Sequence, residues 1–258
     1  MPEGDTIHYA ANRIRPVLQG KVPEQISAPQ ERHRKDRWSE RLAGRAVRLV
    51  EAYGKHLFIR FEENLTLHSH LRMSGAWGVY RSGQRWSRSP RRAWLVIRSG
   101  GVEVVQFDGP VLELLSESRA RTDRRLYGLG QDILGERLDY ELLWRRLRED
   151  DPTRPIGDAL LDQRTLAGIG NIWKAEACFA AAVDPWRAAG EVSEQEILAV
   201  VGFAREHMTQ SAQDGYQARP RAVYGRAGMP CPRCVTPIRA RGQGEQNRMT
   251  YWCPGCQR

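Results

Sequence analysis

The chain opens Met1-Pro2-Glu3-Gly4-Asp5. A small residue at position 2 permits removal of Met1, which would leave Pro2 as a secondary α-amine. An α-amino group has an unperturbed pKa of about 7.7–8, so a useful fraction is neutral at pH 7. A secondary amine that adds to C1′ of a deoxyribose forms an iminium that is cationic at every pH. That electron sink acidifies C2′ and allows β-elimination of the 3′-phosphate. Glu3, next in the chain, is of the type that supplies and removes protons at the sugar. Alone, the motif is weak, because many chains begin Met-Pro.

The second chemical pattern is at the other end. Cys231-Pro-Arg-Cys234 and Cys253-Pro-Gly-Cys256 are separated by 18 residues. Each Cys-x-x-Cys turn points two thiolates at one metal, and two turns on a hairpin close a tetrahedron. Two disulfides are the alternative, disfavoured in a reducing cytosol. With all four positions filled by protein, the expected ion is one structural Zn2+, with no open position for water. Cys178 stands apart in an apolar run and is expected to pack in the core.

Between these ends lie weaker signals. Gly54-Lys55-His56-Leu57 reads as a turn entering a strand, where Lys55 is either an exposed turn lysine or a cation for phosphate. His68 and His70 share one face of a strand and have no third metal ligand in evidence, so packing and hydrogen bonding are expected of them. Leu166-Ala-Gly168-Ile169-Gly170-Asn171-Ile172 joins two expected helices. Its glycines permit close backbone approach, Asn171 is a fair N-cap, and a helix start with free N–H groups favours phosphate.

These groups need elements to hold them. Asp5 is expected to cap a first helix, with Ile7, Ala11, Ile14 and Leu18 at helical spacing, and Pro16 should kink or end it. From about 46 to 115 the pattern is strand-like. Leu65, Leu67, Ser69, Leu71 and Met73 alternate with polar residues, Ser74-Gly75 turns the chain, and 95–97 and 102–107 are further strands. Part of 117–138 reads as a linker. Helices are expected at 140–148, 157–166, 172–183 and 193–208.

Charge bounds the partner. The chain of 258 residues carries a formal +9, which favours an acidic partner, nucleic acid before membrane surface. Lysine is rare (Lys21, Lys35, Lys55 and Lys174) and arginine supplies the rest. Residues 81–98 hold six arginines and no acid, interleaved with Trp86 and Trp94. Arginine forks onto phosphate, so contact with phosphate is favoured there over a solvated face. No apolar run approaches the roughly 18 residues of a membrane span, and no secretory signal is apparent. A cytoplasmic, monomeric protein is expected.

Taken together and in order, the motifs resemble the formamidopyrimidine-DNA glycosylase / endonuclease VIII family. They are Pro2-Glu3-Gly4, Gly54-Lys55, His70-Leu-Arg-Met73-Ser-Gly75, Gly168-Ile-Gly-Asn171-Ile, Val223-Tyr-Gly-Arg-Ala-Gly228 and the four cysteines, so the resemblance spans nearly the whole chain. It implies an α+β fold: an N-terminal helix plus antiparallel β-sandwich (1–118), a linker (119–138), a helix–two-turns–helix domain (139–222) and a zinc-finger β-hairpin (223–258). It implies a bifunctional glycosylase/AP lyase acting on double-stranded DNA with oxidised bases or abasic sites. Pro2 would be the Schiff-base nucleophile, Glu3 the acid/base and Lys55 the turn lysine at the lesion-side DNA. Asn171 and Arg248 would bind phosphate, and Met73 would fill the gap left by an extruded base.

The chain departs from the family pattern in places. Thr6 stands where glutamate is frequent, and Phe107-Asp-Gly-Pro110-Val-Leu replaces a run normally bearing arginine and a large aromatic. The stretch between Met208 and Val223 is too short for a long lid. These features lean toward the endonuclease VIII side and oxidised pyrimidines. The rivals are an oxidised-purine enzyme of the same mechanism, a non-catalytic zinc-finger DNA-binding protein, and a zinc-ribbon partner-binding protein.

Overall fold

The computed structural model describes residues 2–149, 151–215 and 221–258. They divide into two compact units, Pro2 with Thr6–Tyr127, and Glu3–Asp5 with Gly128–Arg258. Removal of Met1 concerns a residue outside those described.

The first unit is built on helix α1 (Gly4–Leu18) and two antiparallel sheets. Ile7, Ala11, Ile14 and Leu18 are all buried, as their spacing demands. The helix does not stop at Pro16. The proline lies in the last turn, and Gln19 still donates to the Arg15 carbonyl at 2.9 Å, so only one interior hydrogen bond is lost. Asp5 falls inside the first turn rather than at the cap.

Strand β1 (Gln25–Ser27) is followed by short helices α2 (Glu31–Lys35) and α3 (Trp38–Leu42). Then come β2 (Val47–Tyr53), β3 (His56–Phe61), β4 (Leu65–His70), β5 (Ala76–Arg81), β6 (Ala93–Ser99), β7 (Val102–Phe107) and β8 (Val111–Ser116). One sheet has the order β2-β3-β4-β8 and the other β1-β6-β7-β5. Leu57, Ile59 and Leu67 from the first join Leu95, Ile97 and Val104 from the second, with the apolar face of α1, in one core. This is the α+β sandwich. The alternation that reads as strand through Met73 loses its ladder after His70, because Arg72 turns the chain with φ 47°. Part of the expected linker is ordered. Helices α4 (Glu117–Thr122) and α5 (Arg124–Tyr127) follow β8, with Ser116 Oγ accepting from the Arg119 amide at 3.3 Å.

The second unit holds β9 (Gln131–Asp132), α6 (Tyr140–Glu149), α7 (Ile156–Ala159), β10 (Leu166–Ala167), α8 (Asn171–Ala180), α9 (Glu194–Asp214) and the hairpin β11 (Arg239–Gln243) with β12 (Arg248–Trp252). The helix expected over 157–166 is a single turn. Arg164 binds Asp162 through backbone and side chain, and Leu166–Ala167 instead pairs in parallel with β9. The long helix α9 starts at Ser193 through a capping box with Glu196. Trp173, Ile169, Ile197, Val201 and Met208 form the unit's core with Cys178, which is fully buried as expected. Of the stretch between Met208 and Val223, residues 216–220 lie outside those described. Among the described residues no helix is long and apolar enough to cross a membrane.

Candidate functional site

In the second unit the construction begins at Gly168-Ile-Gly170. Gly168 has φ 104°, and its carbonyl accepts from the Gly4 amide at 2.9 Å. A Cβ on Gly4 would meet Gly168 Cα at 2.9 Å, so both glycines are needed for this approach. The close approach delivers Glu3 to the start of α8. Its carboxylate is fully buried and accepts from the amides of Ile172 (2.8 Å) and Trp173 (3.3 Å). These are orphan donors of the helix start, where the macrodipole also favours negative charge. Gly170, at the cap position, leaves room, since a Cβ there would lie 2.3 Å from Glu3 Cδ.

Asn171 is therefore not the N-cap. It is the first helical residue, and the distant Glu3 satisfies the amides. Its own Nδ2 donates to the Met249 carbonyl at 2.6 Å, tying α8 to β12 of the finger. Arg248, at the start of β12, rests on Gln246, with Nε and Nη2 at 2.9 and 2.7 Å from Oε1.

Four residues outside the predicted site secure this arrangement. Lys174, on α8, is fully buried and donates to Thr250 Oγ1 at 2.5 Å, and Thr250 donates onward to Gln243 Oε1 at 2.9 Å. Burial holds the lysine down at about 8. Glu176 accepts from the amides of Ala222, Val223 and Tyr224 at 2.7–3.0 Å, gripping the chain where it enters the finger. In sequence Lys174 is only one of four lysines, and nothing local marks it as buried.

The four cysteines converge. Their sulfurs all lie within 4.8 Å of one another, with Cys231–Cys256 at 3.8 Å and Cys234–Cys253 at 3.4 Å. The Arg233 amide points at Cys231 Sγ (3.4 Å), and a Cβ on Gly255 would strike Thr236 Oγ1 at 2.7 Å. Four soft donors with this spacing are the donor set of a tetrahedral metal ion. The Arg233 guanidinium fixes the knuckle to the end of α8, donating to the Phe179 and Ala180 carbonyls at 2.7 and 3.1 Å.

The first unit holds the remaining residues. Pro2 is half-buried. Lys55 sits in the two-residue turn between β2 and β3, which Gly54 permits with φ 55°. Met73 is 68% exposed at the tip of the turn after β4, an unusual position for a large apolar side chain. Between these turns lies a histidine ladder. His56 Nδ1 and His68 Nε2 are 2.8 Å apart, and His68 Nδ1 is 3.2 Å from Glu113, which is held in turn by Arg125 at 2.8 Å. Burial is the first cause that lowers all three histidines: His56 to about 2, His70 to about 4, and His68 in the same direction. They are neutral at pH 7 and serve packing and hydrogen bonding. In sequence, His68 and His70 were visible as a pair, but His56, Glu113 and Arg125 were not.

Family models agree with this architecture. The formamidopyrimidine-DNA glycosylase N-terminal domain matches residues 1–109, and the helix–two-turns–helix domain of the same family matches 129–219. The chain is 40% identical to a probable endonuclease 8 2 of Streptomyces coelicolor, across 100% of this chain and 94% of that one. It is 36% identical to the DNA-(apurinic or apyrimidinic site) lyase Nei2 of Mycolicibacterium smegmatis, across 100% and 99%. In fold it resembles a Lactococcus lactis Fpg solved with abasic-site DNA, at a TM-score of 0.82 and 21% identity over 99% of each chain.

Proposed function

The chain belongs to the formamidopyrimidine-DNA glycosylase family, and on that premise we propose that it is a base-excision repair DNA glycosylase with AP lyase activity whose nucleophile is Pro2. The observation that carries the reading is the lodging of Glu3. The residue beside the proposed amine is a fully buried carboxylate, fixed by two amides of α8 with a glycine making room for it. What separates it from the equally buried Glu176 is its place in the chain, directly after the proposed amine.

With Met1 removed, the Pro2 nitrogen adds to C1′ as the bond from C1′ to the base breaks, and the base leaves with a proton. Glu3 exchanges protons with the opening sugar. The resulting iminium makes a C2′ proton acidic; its loss expels the 3′-phosphate, and δ-elimination of the 5′-phosphate is the next step open. Asn171 and Arg248 bind backbone phosphates, Lys55 binds at the lesion-side strand, and Met73 fills the place of the extruded base. Zinc is the ion for Cys231, Cys234, Cys253 and Cys256. Its role is to hold the finger, since all four positions are taken by protein. Oxidised pyrimidines are the favoured bases, oxidised purines the alternative, and the enzyme acts as a cytoplasmic monomer.

Borohydride trapping on abasic-site DNA tests the reading, using protein whose N-terminus has been checked by mass spectrometry. The expected result is a covalent adduct mapped to Pro2. Protein with a free Pro2 that binds the DNA and gives no adduct would instead be a non-catalytic DNA-binding relative. A panel of oxidised pyrimidine and purine lesions then fixes the substrate.

A further inference from the structure

The turn that carries Met73 is held from a part of the chain with no evident reason to reach it. Arg88 lies in the arginine-rich loop between β5 and β6. Its Nη1 donates both to the Ser74 carbonyl and to Asp108 Oδ2, each at 2.6 Å. Asp108 occupies the tight turn between β7 and β8 with φ 47°, a strained value for a non-glycine residue. Arg92 completes the arrangement, with its Nε 2.9 Å from Asp108 Oδ1 and its carbonyl accepting from the Asp108 amide at 3.0 Å. One carboxylate is thus clasped by two guanidinium groups, and one of these also grips the main chain directly after Met73.

The loop is itself anchored. Trp86 donates to Glu103 at 2.8 Å and packs edge-on against Phe107 at 5.8 Å, and the Tyr80 hydroxyl meets Ser87 Oγ at 2.6 Å. The Arg88 and Asp108 side chains are only 28% and 21% exposed, so the clasp is partly withdrawn from solvent. Arginine suits this position because its fork can satisfy a carbonyl and a carboxylate together.

We propose that Arg88 is a positioning residue for Met73. By joining the Ser74 carbonyl to Asp108, it braces the exposed methionine turn against the turn between β7 and β8, so that Met73 enters the base stack without yielding. An apolar wedge must partly unstack a base step, and a turn that gives way under that load opens the step slowly. The inference rests on the reading of Met73 as the wedge.

The test is stopped-flow fluorescence of 2-aminopurine placed beside the lesion, with wild type, Arg88→Ala, Met73→Ala, the double variant and Asp108→Asn, each checked by thermal melting. Arg88→Ala is expected to slow base opening about tenfold when Met73 is present and less than twofold in the Met73→Ala background, as coupled residues require. Asp108→Asn should slow opening in the same way, although it removes a negative charge and Arg88→Ala a positive one. A simple phosphate contact predicts opposite effects from the two. Cleavage of DNA that already contains an abasic site should stay within twofold of wild type for both, since no base must leave the stack. Equal slowing by Arg88→Ala in both backgrounds, or faster opening by Asp108→Asn, overturns the proposal. If Met73→Ala opens DNA at the wild-type rate while Arg88→Ala is slow, the wedge reading itself falls, and the role of Arg88 through Met73 falls with it.

Discussion

Replacing Gly170 with alanine isolates the placement of Glu3. The backbone there has φ −131° and ψ −167°, open to any residue, so the substitution strains nothing locally. The new Cβ, however, would stand 2.3 Å from Glu3 Cδ and 2.5 Å from Oε1, where ordinary contact begins at 3.4 Å. The carboxylate must retreat by 1.1 Å (3.4 minus 2.3). That stretches the 2.8 Å bond from the Ile172 amide and the 3.3 Å bond from Trp173 beyond useful length. A hydrogen bond to a charged group contributes about 1.5–3 kcal/mol. With both bonds lost we expect a loss of about 3–6 kcal/mol and a fall in melting temperature of about 6–24 °C, at about 2–4 °C per kcal/mol for a chain of this size. Misplacing a catalytic group by about 1 Å costs about a hundredfold in rate. Single-turnover excision from a lesion-bearing duplex should fall by that factor, whereas borohydride trapping at a preformed abasic site should persist, because Pro2 is untouched. Excision at the wild-type rate with unchanged melting would refute the idea that the start of α8 sets the position of Glu3.

Three further outcomes are expected. Wild-type stability should rise with pH between about 8 and 10.5, because burial holds the Lys174 ammonium down to about 8 and between those values the unfolded chain keeps a proton that the folded one releases; Lys174→Met should remove that rise, and an unchanged slope would refute this. Acidification should destabilise the first unit first as pH falls from 6.5 toward 4, since unfolding lets His70 and its buried neighbours take protons that the fold refuses. Chemical denaturation at half-unit pH steps measures this, and a flat profile across that window would contradict it. With an ion held by the four cysteines as proposed, chelation should lower melting and abolish DNA retention in gel-shift assays while leaving the Pro2 amine reactive toward small aldehydes; protein that holds no metal and binds DNA normally would refute the proposed structural role of zinc.

Legibility in the sequence followed range of interaction. The cysteine spacing declares the metal cluster because both knuckles are local patterns, and the same holds for the apolar stripe of α1 and the capping box at Ser193. The helix expected over 157–166 failed because its last residues pair with β9, more than thirty positions away. Asn171 looked like a cap because a nearby window contains no better acceptor. The acceptor used is Glu3, nearly 170 residues upstream. Lys174 and Glu176 gave no local sign of burial, since their partners are Thr250 and the amides of 222–224. Arg88 was visible only as one charge among six, and what separates it from the others is the Ser74 carbonyl and Asp108.

The bond from the Gly4 amide to Gly168 has a consequence in time as well as space. Glu3–Asp5 belong to the helical unit, whose other residues begin at Gly128. On a ribosome adding about 5–20 residues per second, the first residues wait about 8–33 s before Gly168 is made. Until then Glu3 has no helix start to receive it. An unfinished chain can carry the amine and the sandwich without a lodged carboxylate, so the two halves of the proposed chemistry are joined only late in synthesis. Base excision thereby stays unassembled in interrupted chains, and a stalled fragment ending before α8 should bind DNA weakly and excise no oxidised base.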